Sequence, residues 1–131
     1  MALRSNRAIH TLHLDRNNAS DDFGREMGIT LTMNKTLHTL DLSDNDIKFS
    51  GAAHLAQAMA RNDTITSLNL SRNSIGNEGA TEVAKMLAEN RTLRQLRMSW
   101  NTISDAGAHE LAAVLRTNPA LELFDVADNR V

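Results

Sequence analysis

"LRQLRMSWNTI", residues 93–103, carries the pattern that decides the fold. Leu93, Leu96 and Met98 follow the spacing L-x-x-L-x-L, and Asn101 comes three residues after Met98. Stepping by 28 residues from Leu93 in both directions lands on Ile9, Leu37, Ile65 and Leu121. The Leu96 column continues as Leu12, Leu40, Leu68 and Phe124, and the Met98 column as Leu14, Leu42, Leu70 and Val126. The asparagine column does not vary: Asn17, Asn45, Asn73, Asn101 and Asn129. Two residues further on stand Ala19, Ile47, Ile75, Ile103 and Val131. Self-similarity at such a period marks units that bury their apolar faces only by stacking.

The second half of each unit changes period. "GAAHLAQAMARN", "GATEVAKMLAEN" and "GAHELAAVLRTN" place apolar residues at helical spacing, as in Ala52, Leu55, Ala56 and Met59. A second constant column, Asn6, Asn34, Asn62, Asn90 and Asn118, closes these segments. Asn tolerates the left-handed conformation that often ends a helix, so left-handed helix ends are expected there. Asp21, Asn77 and Asp105 share the column where the helices start and are expected to be their N-caps. Phe49 interrupts that column, which passes the second cap to Ser50.

Each unit is therefore a strand, a turn and a helix. The expected fold is a single α/β domain over residues 1–131, a right-handed solenoid with a parallel sheet of about five strands on the concave side and helices on the convex side. The units are a partial repeat at 1–8, an irregular repeat at 9–36, repeats at 37–64, 65–92 and 93–120, and a partial repeat at 121–131. Five strands spaced about 4.8 Å apart would span roughly 20 Å. The constant asparagines, Asn17 to Asn129, are expected to form a ladder whose amides satisfy backbone groups where the chain leaves the sheet. The first helix, "DDFGREMGITLTMN", departs most. Its Gly24, Gly28, Thr30 and Thr32 lower helix propensity and predict the softest end of the molecule. Neither end shows a polar cap, which suggests a segment of a longer repeat protein.

Composition narrows the function. The chain is 41% hydrophobic and 23% charged, with a net charge of -2, one tryptophan and no cysteine. That balance gives no general attraction to nucleic acid or to membranes. Lack of cysteine excludes disulfides, thiolate metal sites and a cysteine nucleophile. The first twenty residues hold no signal peptide and no spanning segment, so a cytoplasmic location is expected. No G-x-S-x-G elbow and no phosphate loop occur, so the expectation is no enzyme, no cofactor and no metal. The motifs "NKT", "NDT" and "NRT" match a glycosylation signal, but each begins at a helix-ending Asn (Asn34, Asn62, Asn90) and reads as a product of the repeat.

The pattern L-x-x-L-x-L-x-x-N-x-I-x-x-x-G-A-x-x-L-A-x-x-L-x-x-N resembles the leucine-rich-repeat superfamily, in its ribonuclease-inhibitor-like class with 28-residue repeats. It extends over essentially the whole chain and is matched closely by residues 37–118. That class includes ribonuclease inhibitor, Ran GTPase-activating proteins, tropomodulin-like actin cappers and nucleotide-binding immune sensors. The resemblance implies a protein-binding scaffold without specifying the partner, because the shared residues are those that hold the solenoid together.

Residues between the core columns face solvent. Units three and four place Arg72, Arg94, Arg97 and Trp100 on the concave face and rim, with Asp41, Asp44, Asp125 and Asp128 as a flanking acidic set. Trp and Arg are the residues most enriched at binding hot spots. Trp100 thus has two readings: an aromatic–arginine anchor, or "SWN" as a variant of "SRN" and "SDN" that covers its neighbours' stems. His10 and His38 share a column and should lie about 5 Å apart. The function read from this pattern is a module or scaffold that binds a protein partner. The alternatives are a segment that self-associates through its uncapped ends and, by fold analogy only, a regulator of a small GTPase.

Overall fold

The first apolar residue of every L-x-L pair is the centre of a three-residue strand, and the second follows just beyond its end. The computed structural model describes residues 1–131. Its strands are β1 (Thr11–His13), β2 (Thr39–Asp41), β3 (Ser67–Asn69), β4 (Gln95–Arg97) and β5 (Leu123–Asp125). They form one parallel sheet in the order β1-β2-β3-β4-β5. Leu12 pairs with Leu40, Leu40 with Leu68, Leu68 with Leu96 and Leu96 with Phe124, so the sequence repeat is the strand register. Four helices alternate with the strands: α1 (Asp21–Met33), α2 (Phe49–Arg61), α3 (Gly76–Glu89) and α4 (Asp105–Leu115). The expected α/β solenoid with a parallel sheet is what the chain forms.

The core lies between the two layers. Leu40, Leu68 and Leu96 point from the sheet into the same cluster as Leu55, Met59, Val83, Leu87 and Leu111 from the helices. A three-residue strand is too short to be stable alone. Burial of this shared apolar seam, at about 25 cal/mol per Å² of apolar surface, is what holds the strands in place.

Two asparagine ladders staple the stack. Nδ2 of Asn73 donates to the carbonyls of Leu42 and Leu70, both at 3.0 Å, and Oδ1 accepts from the Ile47 N–H. Asn45, Asn101 and Asn129 repeat this arrangement, each reaching back to the preceding unit. The helix-ending column makes the second ladder. Nδ2 of Asn90 donates to the carbonyls of Met59 and Asn62, while Oδ1 accepts from Thr92 and Leu93 N–H.

This second ladder corrects one expectation. Asn34, Asn62 and Asn90 are not left-handed; their ψ angles of 130–132° are extended. They stand there for their amides, which are buried, and not for their backbone tolerance. The capping expectation is also corrected. Ser20, Lys48, Ile75 and Ser104 precede the four helices, and none makes a side-chain cap bond. Asp21 and Asn77 cap the helix of the following unit instead. Asp21 Oδ1 accepts from Lys48 N–H at 2.7 Å and Gly51 N–H at 2.8 Å; Asn77 Oδ1 accepts from Ser104 and Gly107 N–H. Phe49 cannot do this for α3, whose first residue, Gly76, has φ +67.

The glycines of α1 have a packing role that propensity alone does not show. A Cβ on Gly24 would stand 2.7 Å from Gly51 Cα, and one on Gly28 would stand 2.8 Å from the His54 carbonyl oxygen. Their bare backbone lets α1 lie close on α2. The opening residues also pack: Leu3 is buried, Asn34 donates to its carbonyl, and Arg4 pairs with Glu26 at 2.7 Å.

Candidate interaction surface

The strands alternate in burial, so Leu68 and Leu96 face the helices while Ser67, Asn69, Gln95 and Arg97 face the open side of the sheet. Beyond each strand the chain must turn away, and in every unit it does so through a left-handed residue at the same repeat position. These are Arg16, Asp44, Arg72, Trp100 and Asp128, with φ between 52 and 60°. Side chains other than Gly, Asn and Asp seldom adopt this conformation. The repeat geometry demands it at every rung, so it holds these five side chains in one exposed row along the rim.

Neighbours in this row interact. Arg16 Nε lies 3.5 Å from Asp44 Oδ2. The Arg72 guanidinium carbon sits 5.1 Å from the centroid of the Trp100 ring, within cation–π range. Trp100 remains 50% exposed. Trp100 thus occupies the row's ordinary position, lies beside Arg72 and presents a half-exposed indole.

The flanking acids separate into two kinds. Asp41 is committed within the fold: Oδ1 accepts from the Ser43 N–H and hydroxyl, and Oδ2 accepts from Asn69. Partial burial pushes its carboxyl up, but the hydrogen bonds from Ser43 and Asn69 and the nearby His13 outweigh that and hold the pKa below the ordinary value. Asp44 has Arg16. On the other flank the Asp125 carboxylate accepts only from Ala127 N–H, and Asp128 is exposed. Arg94 donates to the Ala120 carbonyl and Arg97 to Gln95 Oε1 at 3.4 Å. None of the ion pairs in the molecule involves Arg72, Arg94 or Arg97.

The structure brings together a group that sequence reading did not. One ligand atom each from His13, Asp15 and Asp41 lies within 4.8 Å of the others. Because Asp41 already accepts three hydrogen bonds, this group reads as a polar corner, and no metal is assigned to it. His10 and His38 stack edge-on with centroids 5.3 Å apart, close to the expected spacing. Asn34, Asn62 and Asn90 of the glycosylation-like motifs are buried, with their amides in the ladder, so they are sealed against modification. No helix is long and apolar enough to cross a membrane.

The sequence profile of the leucine-rich repeat matches three stretches, residues 34–56, 61–84 and 89–112, one per regular unit. The chain belongs to the leucine-rich-repeat family. Among solved structures, this leucine-rich-repeat domain is similar to the actin-binding site 2 of leiomodin-1. The TM-score is 0.89 at 22% identity, covering 95% of this chain and 75% of that one. It is also similar to the tropomodulin C-terminal domain of Caenorhabditis elegans, with a TM-score of 0.83 at 14% identity, covering 96% of this chain and 78% of that one. At such identities the likeness is one of fold. No curated protein matches the chain by sequence.

Proposed function

We propose that this leucine-rich-repeat domain is a non-enzymatic, cytoplasmic protein-binding module that engages its partner through the open face of the sheet and the rim beside it. The observation that supports this reading is the Trp100 indole, half exposed and stiffened by Arg72, with Arg94 and Arg97 unpaired by any carboxylate. A stiff aromatic surface beside arginines loses little entropy on binding and has the composition of interface hot spots. Arg72, Arg94, Arg97 and Trp100 would make the central contacts, and Asp125 and Asp128 the flank. Asp41 and Asp44, already partnered within the chain, would shape the neighbouring edge.

Monomeric actin is the first partner to test, because one domain of the same backbone is named as an actin-binding site. Titration of labelled actin, together with capture from cell extract, should show retention by the wild type that weakens by about tenfold or more in Trp100→Ala and Arg97→Ala. Equal retention by variants that keep their circular dichroism would remove the site assignment.

Self-association is a second reading, supported by β1 and β5 each being an edge strand with unpaired backbone on one side. Solution mass by light scattering across concentration separates it from the first, since a stable monomer has no obligatory end-to-end contact. The GTPase-regulator reading rests on fold analogy, and no residue of this surface adds to it.

A further inference from the structure

Arg97 and Asp125 are register partners on adjacent strands, β4 and β5, yet they do not form an ion pair. Each is tied back along its own strand. Arg97 Nη1 donates to Gln95 Oε1 at 3.4 Å, and Asp125 Oδ1 accepts from the Ala127 N–H at 2.9 Å. The rim row shows the same contrast. Arg16 reaches its neighbour Asp44 at 3.5 Å, whereas Arg72 lies over Trp100 and Asp128 has no cation. Units three and four therefore present Arg72, Arg94 and Arg97 with no acid among the open-face positions Ser67, Asn69, Ser71, Gln95 and Ser99. Unit five presents Asp125 and Asp128 directly beside them. The surface is a cationic stripe and an acidic stripe, side by side and uncancelled, with the indole between Arg72 and Asp128 in the row.

We propose that this surface takes an extended peptide segment of a partner protein, crossing the strands, with a carboxylate side chain on Arg72 and Arg97 and a lysine or arginine on Asp125 and Asp128. This rests on the protein-binding reading above. The spacing follows from geometry: strands lie about 4.8 Å apart and an extended chain advances about 3.3 Å per residue. Alternate side chains of an extended segment share a face, so an acid and a base two residues apart, about 6.6 Å, match charges on neighbouring strands. The arginine fork gives a carboxylate two parallel donors, which a lysine could not. An apolar or aromatic residue two positions beyond either charge, on the same face of the segment, would reach Trp100. Nucleic acid is a poor fit, because its phosphates would meet Asp125 and Asp128. A uniformly acidic segment fails for the same reason.

The test is selection of displayed random peptides on the wild-type domain. Fluorescence anisotropy of the selected peptides would then be measured against wild type, Trp100→Ala, Arg97→Glu, Asp125→Lys and the double variant Arg97→Glu/Asp125→Lys. The expected peptides carry Asp or Glu two residues from Lys or Arg and lose about tenfold or more in affinity with each single variant. The double variant, which exchanges the charges of the facing pair Arg97 and Asp125, should regain affinity for the charge-inverted peptide relative to wild type, a gain that damage to folding cannot produce. Peptides that need Trp100 but ignore both charge reversals would overturn this inference and leave the binding reading standing. Peptides indifferent to Trp100→Ala, Arg97→Glu and Asp125→Lys alike would overturn both. Failure to enrich any peptide would rule out an extended segment as the occupant.

Discussion

Asn101 and Asn17 occupy the same position of the repeat and have opposite surroundings. Asn101 is buried; Nδ2 donates to the carbonyls of Leu70, Met98 and Ser99, and Oδ1 accepts from the Ile75 N–H. Asn17 is exposed and its side chain makes one bond, to the Asp15 carbonyl. The difference lies in the neighbour. Asn101 reaches back to a preceding strand, and within this chain none precedes β1. Equal residues in equal register thus carry unequal energies, because a buried polar group is costly only where water cannot replace its partner.

That contrast predicts the largest effect. Asn101→Ala should lower unfolding free energy by about 3 kcal/mol, since it strands buried carbonyls and an N–H, whereas Asn17→Ala should cost below about 0.5 kcal/mol. Urea denaturation of the pair measures both, and similar losses would break the ladder argument. Next comes the α1–α2 contact. Gly24→Ala gains about 1 kcal/mol of helix propensity but drives a Cβ against Gly51 backbone, and overpacking costs about 1–3 kcal/mol. A net loss of about 1 kcal/mol is expected. A gain would show that the first unit is as loose as its composition suggests.

A smaller effect of opposite sign is expected at Thr102. Its φ of 59° is left-handed, a rare state for a β-branched residue. Thr102→Asn should raise stability by about 0.5–1 kcal/mol, read as an upward shift in the urea midpoint. The smallest effect concerns pH. The Asp41 carboxyl is held below its ordinary value in the folded state. Its contribution is therefore present above the unfolded pKa and lost as pH falls through the folded one. Asp41→Asn should be less stable than wild type at pH 7 and should lose less on acidification below about pH 4. Parallel stability–pH curves for the two proteins would contradict the hydrogen-bonded corner.

Much of the fold was legible because its information is periodic. Leu12, Leu40, Leu68 and Leu96 fall in register since stacked units bury the same column, and the pairing reproduces the spacing residue for residue. The cap column was visible but misassigned. Local rules look for an N-cap beside its own helix, and Asp21 serves N–H groups 27 and 30 residues away. The helix-ending asparagines misled in the same way, because their distant amide bonds outweigh backbone preference. Of the candidate surface, the row of Arg72, Trp100 and Asp128 could be placed from the repeat. Its left-handed backbone was signalled only weakly, by Asp44 and Asp128, because Arg and Trp seldom adopt that conformation.

The sequence by itself determined the parallel sheet, its register and the interior, because stacking is what buries a column of Leu at a fixed period. The tertiary structure alone decided which charges cancel. Arg16 and Asp44 pair while Arg97 and Asp125, equally adjacent, are each drawn back along their own strand. An exposed ion pair is worth little, so adjacent opposite charges need not meet. Spacing in the sequence brings such charges side by side; only the packed side chains determine whether they meet each other or are left for a partner.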